Sequence, residues 1–305
     1  MMKSLLFSVL LLLPLPAAEV SRSWTAKDGR SIEGLFVQAS DDSVTIRRKD
    51  GKKVTIPFKL LSDDDVTFVR EKMVKDQLDE KRKKGLKEGP YADHVSGEWE
   101  KMTAEDGLQY HFYAGKKLKS GKLYPLCIYL HGASNTGSGL TKREPGANGF
   151  VNERIYGDHP SFVIAPEAPA GTGSFQKIAP RIFKMVDHLI ANLPIDRDRI
   201  YITGYSMGAR GTWALIAERP DFFAAASPIA GPLGGVKIAS LPKIPIWLHY
   251  GEEDRGDELR GVSQKLKAMN PKFRATEFPG AGHTGVHSKV AKNPKFYEWL
   301  FEQSR

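Results

Sequence analysis

A serine flanked by two glycines stands where an apolar run gives way to a helical pattern. Residues 204–208 read GYSMG, after the apolar residues 200–203 and before the helical spacing of residues 209–217. A sharp turn from strand to helix needs glycines beside the serine, because a Cβ there would collide with neighbouring backbone. Such a turn would hold the Ser206 hydroxyl above a sheet, and the Met207 amide could donate to an oxyanion. We therefore predict that Ser206 is a nucleophile.

A serine hydroxyl attacks a carbonyl at neutral pH only when a base removes its proton. Of the eight histidines, His283 follows the last predicted strand on a glycine-rich loop, and His287 lies four residues further on. The base needs an acid to orient it, and several acids leave the preceding predicted strand: Glu252, Glu253, Asp254 and Asp257. The order serine, acid, histidine excludes the arrangements of chymotrypsin and subtilisin.

Strands and helices alternate in the part of the chain that carries these groups. Apolar runs bounded by Gly, Pro or Asp predict strands at residues 123–130, 162–165, 199–205, 224–229, 244–249 and 275–278. Helical spacing occupies residues 178–193, 207–217, 258–269 and 295–302. Near-continuous apolar strands are typical of burial on both faces. We predict an α/β domain over residues 96–305, with a mainly parallel sheet covered by helices on both sides.

The chain before this domain has a different pattern. Residues 19–72 alternate apolar and polar side chains between turn signals at 28–29, 41–42 and 50–51, which predicts a small module of antiparallel hairpins. Ser62 followed by Asp65 predicts the capped start of a helix that closes the module. Residues 73–95 are dense in charge and predict a helical linker, with a solvated basic cluster at residues 81–84.

The first residues predict export. Residues 1–18 contain a lone Lys3, an apolar run over residues 5–15 and small residues before the polarity rises, which is typical of a cleavable signal peptide. The run is shorter than the ~20 residues that a membrane span needs, so no membrane span is expected. Cleavage after Ala17 or Ala18 would release a periplasmic or extracellular protein.

Composition adds limits on structure and partners. Cys127 is the single cysteine, so no intrachain disulfide is possible, and its apolar neighbours predict burial. The net charge of +9 is spread among acidic residues, which does not indicate a nucleic-acid partner. With 41% hydrophobic residues, the chain can bury a large core.

Five segments carry a resemblance to a known group of enzymes: LHGA at 130–133, RIYITGYSMG at 199–208, GEED at 251–254, PGAGH at 279–283 and FYEWL at 296–300. They resemble the exported esterase or predicted-peptidase group of α/β-hydrolases, which is related to phospholipase/carboxylesterases, dienelactone hydrolases and the prolyl oligopeptidase catalytic domain. The resemblance implies the α/β-hydrolase fold and an acyl-enzyme mechanism without metal or organic cofactor. It departs from the pattern at Arg210, where glycine is frequent, and near Phe175, where a tryptophan often lines the pocket.

The resemblance also assigns roles. It implies that His283 rather than His287 is the base, that Asp254 is the acid, and that the Met207 and Ala133 amides form the oxyanion hole, with Gly132 a weaker candidate than Ala133. His131 is then expected to shape its loop. The expected substrate is a small-molecule or polysaccharide-linked ester.

The hairpin module resembles a second family. Residues 23–25, 28–29, 33–37 and 56–62 are similar to the Sla homology domain one, an SH3-like fold that serves as an interaction module. The resemblance implies a possible protein partner. Two alternatives to an esterase remain: a serine peptidase of the prolyl oligopeptidase type, and a binding protein that acts through this module.

Overall fold

The computed structural model describes residues 21–139 and 144–305, apart from the side chains of Lys75, Leu78, Lys81, Arg82 and Lys83. The predicted signal peptide of residues 1–18 lies outside the described residues. The chain divides into two compact units, Met1–Leu78 and Asp79–Arg305.

The first unit contains a four-stranded antiparallel sheet in sequential order. Its strands are β1 (Arg22–Thr25), β2 (Ser31–Ala39), β3 (Ser43–Arg47) and β4 (Lys53–Pro57). The three predicted turns lie between successive strands, which confirms the hairpins. The module has a small apolar core of Trp24, Val44, Ile46, Leu61 and Val69. This arrangement is consistent with the SH3-like module that the sequence predicts.

Helix α1 (Asp63–Glu88) follows the module. The Asp65 amide donates to the Ser62 hydroxyl (3.2 Å), as the predicted cap requires. The Asp65 carboxylate in turn accepts from the Thr25 amide (2.6 Å) and from Arg22 (2.5 Å), which ties the start of the helix to β1. The helix is continuous through much of the segment predicted as a charged linker. The domain boundaries at residues 72 and 95 stay predictions.

The second unit is built on an eight-stranded sheet in the order β12-β11-β10-β9-β7-β8-β6-β5. The strands are β5 (Trp99–Thr103), β6 (Gln109–Ala114), β7 (Tyr124–Leu130), β8 (Phe162–Pro166), β9 (Ile195–Tyr205), β10 (Ala225–Ile229), β11 (Ile246–Gly251) and β12 (Phe273–Phe278). The six strands from β7 to β12 are parallel, and they are the six that the sequence predicts. The antiparallel strands β5 and β6 at one edge were not predicted individually.

Helices cover both faces of this sheet. They are α2 (Pro145–Phe150), α3 (Glu153–Asp158), α4 (Ala179–Asn192), α5 (Met207–Glu218), α6 (Gly256–Met269), α7 (His283–Ala291) and α8 (Pro294–Phe301). Buried side chains of α4, α5 and α6 belong to one apolar core, and those of α2, α3, α7 and α8 to another. The predicted two-faced α/β architecture is confirmed.

Two smaller expectations concern burial and membranes. The Cys127 thiol on β7 is fully buried, as predicted. Burial raises its pKa well above the ordinary value, so the thiol stays protonated. Within the described residues, no helix has the length and apolar character needed to cross a bilayer.

Candidate active site

The carboxyl ends of neighbouring parallel strands meet at one edge of the second sheet. Ser206 directly follows β9, Ala230 follows β10, Asp254 follows β11 and His283 follows β12 after a short loop. Because these four strands are adjacent in the sheet, residues far apart in sequence converge there. Ligands of open α/β sheets bind at this edge.

The turn at Ser206 is strained and tightly packed. Ser206 has φ 57° and ψ −108°, a conformation that side chains rarely adopt. A Cβ on Gly204 would lie 2.5 Å from the Gly208 carbonyl, and one on Gly208 would lie 1.9 Å from the Leu130 carbonyl oxygen. The close approach of neighbouring backbone therefore requires glycine at both positions, as the sequence predicts. The turn also presses the start of α5 against the end of β7.

The structure brings Ser206, His283 and Asp254 into one hydrogen-bonded row. The Nδ1 atom of His283 lies 2.7 Å from Asp254 Oδ2, and its Nε2 atom lies 2.8 Å from Ser206 Oγ. Because an ionised carboxylate only accepts, the imidazole proton lies on Nδ1, and Nε2 is free to accept from the serine hydroxyl. The His283 side chain is 43% exposed and that of Asp254 only 12% exposed. The ring can thus meet a substrate while its acidic partner is shielded from water.

The neighbouring acids have other contacts. Glu252 accepts from the Gly280 amide (2.9 Å), and Asp257, whose side chain is fully exposed, pairs with Arg260 on α6. Of the four acids considered from the sequence, Asp254 is the one hydrogen-bonded to His283. One detail differs from the expectation: His283 is the first residue of α7 and does not lie within a loop. Helix α7 is short and weakly amphipathic, which is why its pattern was missed.

His287 lies on the buried side of the same helix. Its ring stacks on Tyr205 at a centroid distance of 4.1 Å, and its Nε2 atom lies 3.0 Å from the Tyr129 hydroxyl. Burial, with a smaller contribution from His283, lowers the pKa of His287 to about 4. The ring is therefore neutral at pH 7, and its hydrogen bond goes to Tyr129.

The two predicted oxyanion donors are backbone amides at the starts of helical segments. Met207 is the first residue of α5, and Ala133 begins a short 3-10 turn, Ala133–Asn135. The Gly132 amide donates to Glu144 Oε1 (3.0 Å), so it is already engaged. The Thr136 hydroxyl approaches the Met207 sulfur at 3.9 Å, which brings the loop beside the start of α5. Ala133 remains the better placed of the two loop candidates.

His131 has a local role in the same loop. Its Nδ1 donates to the Gly132 carbonyl (2.7 Å), and its Nε2 accepts from the Ala168 amide (3.0 Å). Burial lowers its pKa, which keeps the ring neutral and both bonds intact. Phe175 packs against this ring at 4.9 Å and is fully buried, so it supports the loop and does not line the cavity.

A cavity of about 290 Å³ opens in front of the serine. Its lining consists of Ser206, Arg210, Ala230, Gly231, Pro232, Asp254, Arg255 and His283. The two arginines were not predicted as site residues, and Arg210 was noted only as a departure from a family pattern. In the sequence, only their positions point to the site: Arg210 lies one helical turn after Ser206, and Arg255 directly follows Asp254.

Backbone strain is concentrated at this cavity. Within the described residues, three residues other than glycine have positive φ: Ser206 (57°), Ala230 (53°) and Arg255 (56°). All three line the cavity. Such conformations persist only where the surrounding structure imposes them, and they cluster at functional sites.

Comparison with known proteins agrees with this description. Residues 168–294 match the dienelactone hydrolase family, and residues 13–77 match SLA1 homology domain 1. A solved structure described as a thermostable esterase superposes with a TM-score of 0.62 at 31% identity, covering 68% of this chain and 63% of that one. Both resemblances stated from the sequence are confirmed, and the second unit has the α/β-hydrolase fold.

Two curated relatives match parts of the chain. Poly(3-hydroxyalkanoate) depolymerase C of Paucimonas lemoignei is 34% identical over 121 residues, which cover 35% of this chain and 28% of the relative. Bifunctional acetylxylan esterase/xylanase XynS20E of Neocallimastix patriciarum is 26% identical over 205 residues, covering 63% of this chain and 28% of the relative. The chain thus spans less than a third of the length of each of these relatives.

Proposed function

We propose that this protein is a serine hydrolase that cleaves carboxylic esters through an acyl-enzyme intermediate. The observation that carries the proposal is the position of His283, which is within hydrogen-bond distance of both Ser206 and Asp254. Two of the matched proteins are named esterases, and the third is named a depolymerase of poly(3-hydroxyalkanoate). These names favour an ester over a peptide as the substrate.

The first half-reaction forms the acyl-enzyme. Ser206 Oγ attacks the ester carbonyl carbon while its proton passes to His283 Nε2, and Asp254 stabilises the imidazolium that results. The oxyanion of the tetrahedral intermediate accepts from the Met207 and Ala133 amides. When the intermediate collapses, the alcohol leaves with the proton from Nε2.

The second half-reaction releases the acid. Water gives a proton to His283 Nε2 as it attacks the acyl carbonyl, a second tetrahedral intermediate forms, and Ser206 leaves with that proton. The strained turn holds the serine in the same position throughout, so the protein need not reorganise between the two steps. All of these steps use side chains and amides of this chain.

The charged side chains that line the cavity indicate which class of ester it binds. Its two arginines face a single lining carboxylate, Asp254, which is hydrogen-bonded to His283. Arg255 has a partner in Glu258 (3.2 Å), outside the lining, whereas no hydrogen bond or ion pair joins Arg210 to another described side chain. Both cations also stand at the starts of helices, where the helix dipole disfavours positive charge. The cavity therefore attracts an ester that carries a negative group near its scissile bond.

The N-terminal part of the chain adds two proposals. Residues 1–18 direct export and are removed, and the module of residues 19–72 binds a protein partner. N-terminal sequencing of protein recovered outside the cytoplasm tests the first: a sequence starting at Ala18 or Glu19 is expected. A retained Met1 would overturn it.

The test of the hydrolase uses the mature protein, wild type and Ser206→Ala. Both are incubated with a fluorophosphonate probe, with p-nitrophenyl esters of increasing acyl length and with peptide p-nitroanilides. We expect labelling and ester turnover in the wild type, neither in Ser206→Ala, and little cleavage of the anilides. Ester turnover that persists in Ser206→Ala contradicts the proposed nucleophile, and a preference for the anilides indicates a peptidase.

A further inference from the structure

A buried polar network lies next to the turn that carries Ser206 and outside the lining of the cavity. It consists of Tyr129, Glu144 and His287, which are 0%, 7% and 8% exposed. We propose that Glu144 and Tyr129 are positioning residues, which hold the loop of Ala133 and the helix of His283 in register with each other. The inference rests on the proposed function, since it concerns the same reaction.

Glu144 is a buried carboxylate with three hydrogen-bond donors. It accepts from the Gly132 amide (3.0 Å), from the Asn135 side-chain amide (2.6 Å) and from the Tyr129 hydroxyl. A buried polar group is stable only when it is hydrogen-bonded, and these three donors hold the carboxyl group of Glu144 in one orientation.

Two of the donors flank the proposed oxyanion amide. Gly132 precedes Ala133, Asn135 ends the 3-10 turn that Ala133 begins, and both donate to the same oxygen, Oε1 of Glu144. The Ala133 amide is therefore held between two anchored points. A shift of either anchor moves the amide relative to Ser206 Oγ.

The third donor extends the network to helix α7. Because the Tyr129 hydroxyl proton points to the carboxylate, its oxygen accepts from the Nε2–H of His287 at 3.0 Å. His287 lies one turn after His283 on α7 and stacks on Tyr205, the residue before Ser206. One connected set of contacts thus reaches the oxyanion loop, the nucleophile turn and the helix that carries the base.

Substitutions in this network should lower kcat and leave KM nearly unchanged. Loss of one oxyanion donor lowers kcat by roughly a hundredfold or more, and a displacement of about 1 Å has a comparable effect. We expect Glu144→Ala to lower kcat about a hundredfold, and Tyr129→Phe about tenfold. Glu144→Gln keeps an acceptor for the Gly132 amide and should recover most of the loss.

Tyr156→Phe is the matched control. Tyr156 is 5% exposed, and its hydroxyl accepts from the Gly115 amide (2.6 Å) on a segment that is not part of the site. Removing this hydroxyl breaks one buried hydrogen bond, whereas Tyr129→Phe breaks two, so Tyr156→Phe should lower Tm by a smaller amount. It should leave kcat at the wild-type value.

The experiment measures kcat, KM, Tm and the rate of fluorophosphonate labelling for wild type, Ser206→Ala and the four variants. A loss of kcat and labelling rate in Tyr129→Phe and Glu144→Ala, with partial recovery in Glu144→Gln and none lost in Tyr156→Phe, supports the proposal. Wild-type kcat in Tyr129→Phe overturns it, even if Glu144→Ala does not fold. A wild type without Ser206-dependent turnover overturns the proposed function and this inference together.

Discussion

Two groups of side chains near Ser206, which we call its two sides, each contain a carboxylate and a histidine but lie in opposite environments. On one side, charged side chains line an open cavity, and His283 is 43% exposed. On the other, a carboxylate, a tyrosine and a histidine are almost completely buried, and they bond to one another. The groups that meet a substrate must be accessible, whereas the groups that fix geometry gain from a dry environment in which their hydrogen bonds are strong.

Helix α7 contributes one histidine to each side. His283 begins the helix and contacts Ser206 and Asp254, and His287, one turn later, contacts Tyr129 and Tyr205. The difference shows that the residue type and its spacing do not define the role of a histidine. The role depends on the environment in which the fold places the side chain.

The largest expected effect separates these two histidines. His283→Ala should lower kcat by roughly 10⁴-fold or more, because Ser206 loses its base. His287→Gln should lower kcat only about tenfold, because it disturbs the position of α7 and leaves the base in place. Steady-state kinetics with a p-nitrophenyl ester measures both, and circular dichroism checks that each variant is folded. Equal losses would remove the distinction between the two sides.

A second effect concerns the close contact between the start of α5 and the end of β7, beside Ser206. Gly208→Ala should reduce the free energy of unfolding by about 3 kcal/mol, because the new Cβ meets the Leu130 carbonyl oxygen at 1.9 Å. Gly261→Ala in α6 is the matched control, since no atom lies within 4 Å of its new Cβ. It should raise the free energy of unfolding by about 0.5–1 kcal/mol, since alanine favours the helix. Denaturant titration measures both, and a stable Gly208→Ala protein would contradict the proposed packing.

A third effect tests burial through pH. His249 is fully buried against Trp247 and Phe296, and burial, with the nearby Arg274, lowers its pKa to about 3. The unfolded chain binds a proton near pH 6.5 and the folded chain does not, so stability falls as the pH drops from 6.5 toward 3.

His249→Phe should therefore lose part of the acid sensitivity. From pH 7 to pH 4.5 the wild type should lose roughly 2–3 kcal/mol more unfolding free energy than the variant does. Urea titrations at both pH values give the comparison. Parallel pH profiles of the two proteins would show that His249 does not contribute.

The smallest effect concerns the front of the site. Arg210→Gln and Arg255→Gln should each lower kcat/KM for mono-p-nitrophenyl succinate by roughly fivefold to twentyfold, because each removes a charge that attracts the carboxylate. The neutral p-nitrophenyl butyrate should change less than about twofold, and 0.5 M salt should reduce the difference between the esters. Equal losses on both esters would show that the arginines do not select for charge.

Periodicity predicted the part of the fold that supports the site. The six parallel strands and helices α4, α5, α6 and α8 were found because their apolar residues recur with a clear period between turn residues. Strand β5 lies at the edge of the sheet and has polar side chains, and β6 beside it was also missed as a separate element, although most of its residues are buried. Helices α2 and α3 have only six residues each, and α7 is weakly amphipathic, so none of the three shows a clear period. Of these, α7 is the one that matters for the site.

Local chemistry identified candidates, and contacts between distant residues selected among them. The glycines around Ser206 predicted the strained turn, because backbone collisions within five residues require them. Choosing between His283 and His287 from the sequence required a family pattern, since both lie on the same short segment. Glu144 could not be recognised from the sequence, and Arg210 stood out only as a departure from a family pattern.

By itself, the sequence determined the sharp turn at Ser206, the order of serine, acid and histidine, and the alternation of strands and helices. These features depend on short-range sterics and on periodic burial, both of which can be recognised from residues close together in the sequence. Only the tertiary structure decided which histidine reaches Ser206, which cations line the cavity and which buried carboxylate holds the loop of Ala133. Those outcomes depend on which strand ends lie side by side, and that order is set by packing across the whole sheet.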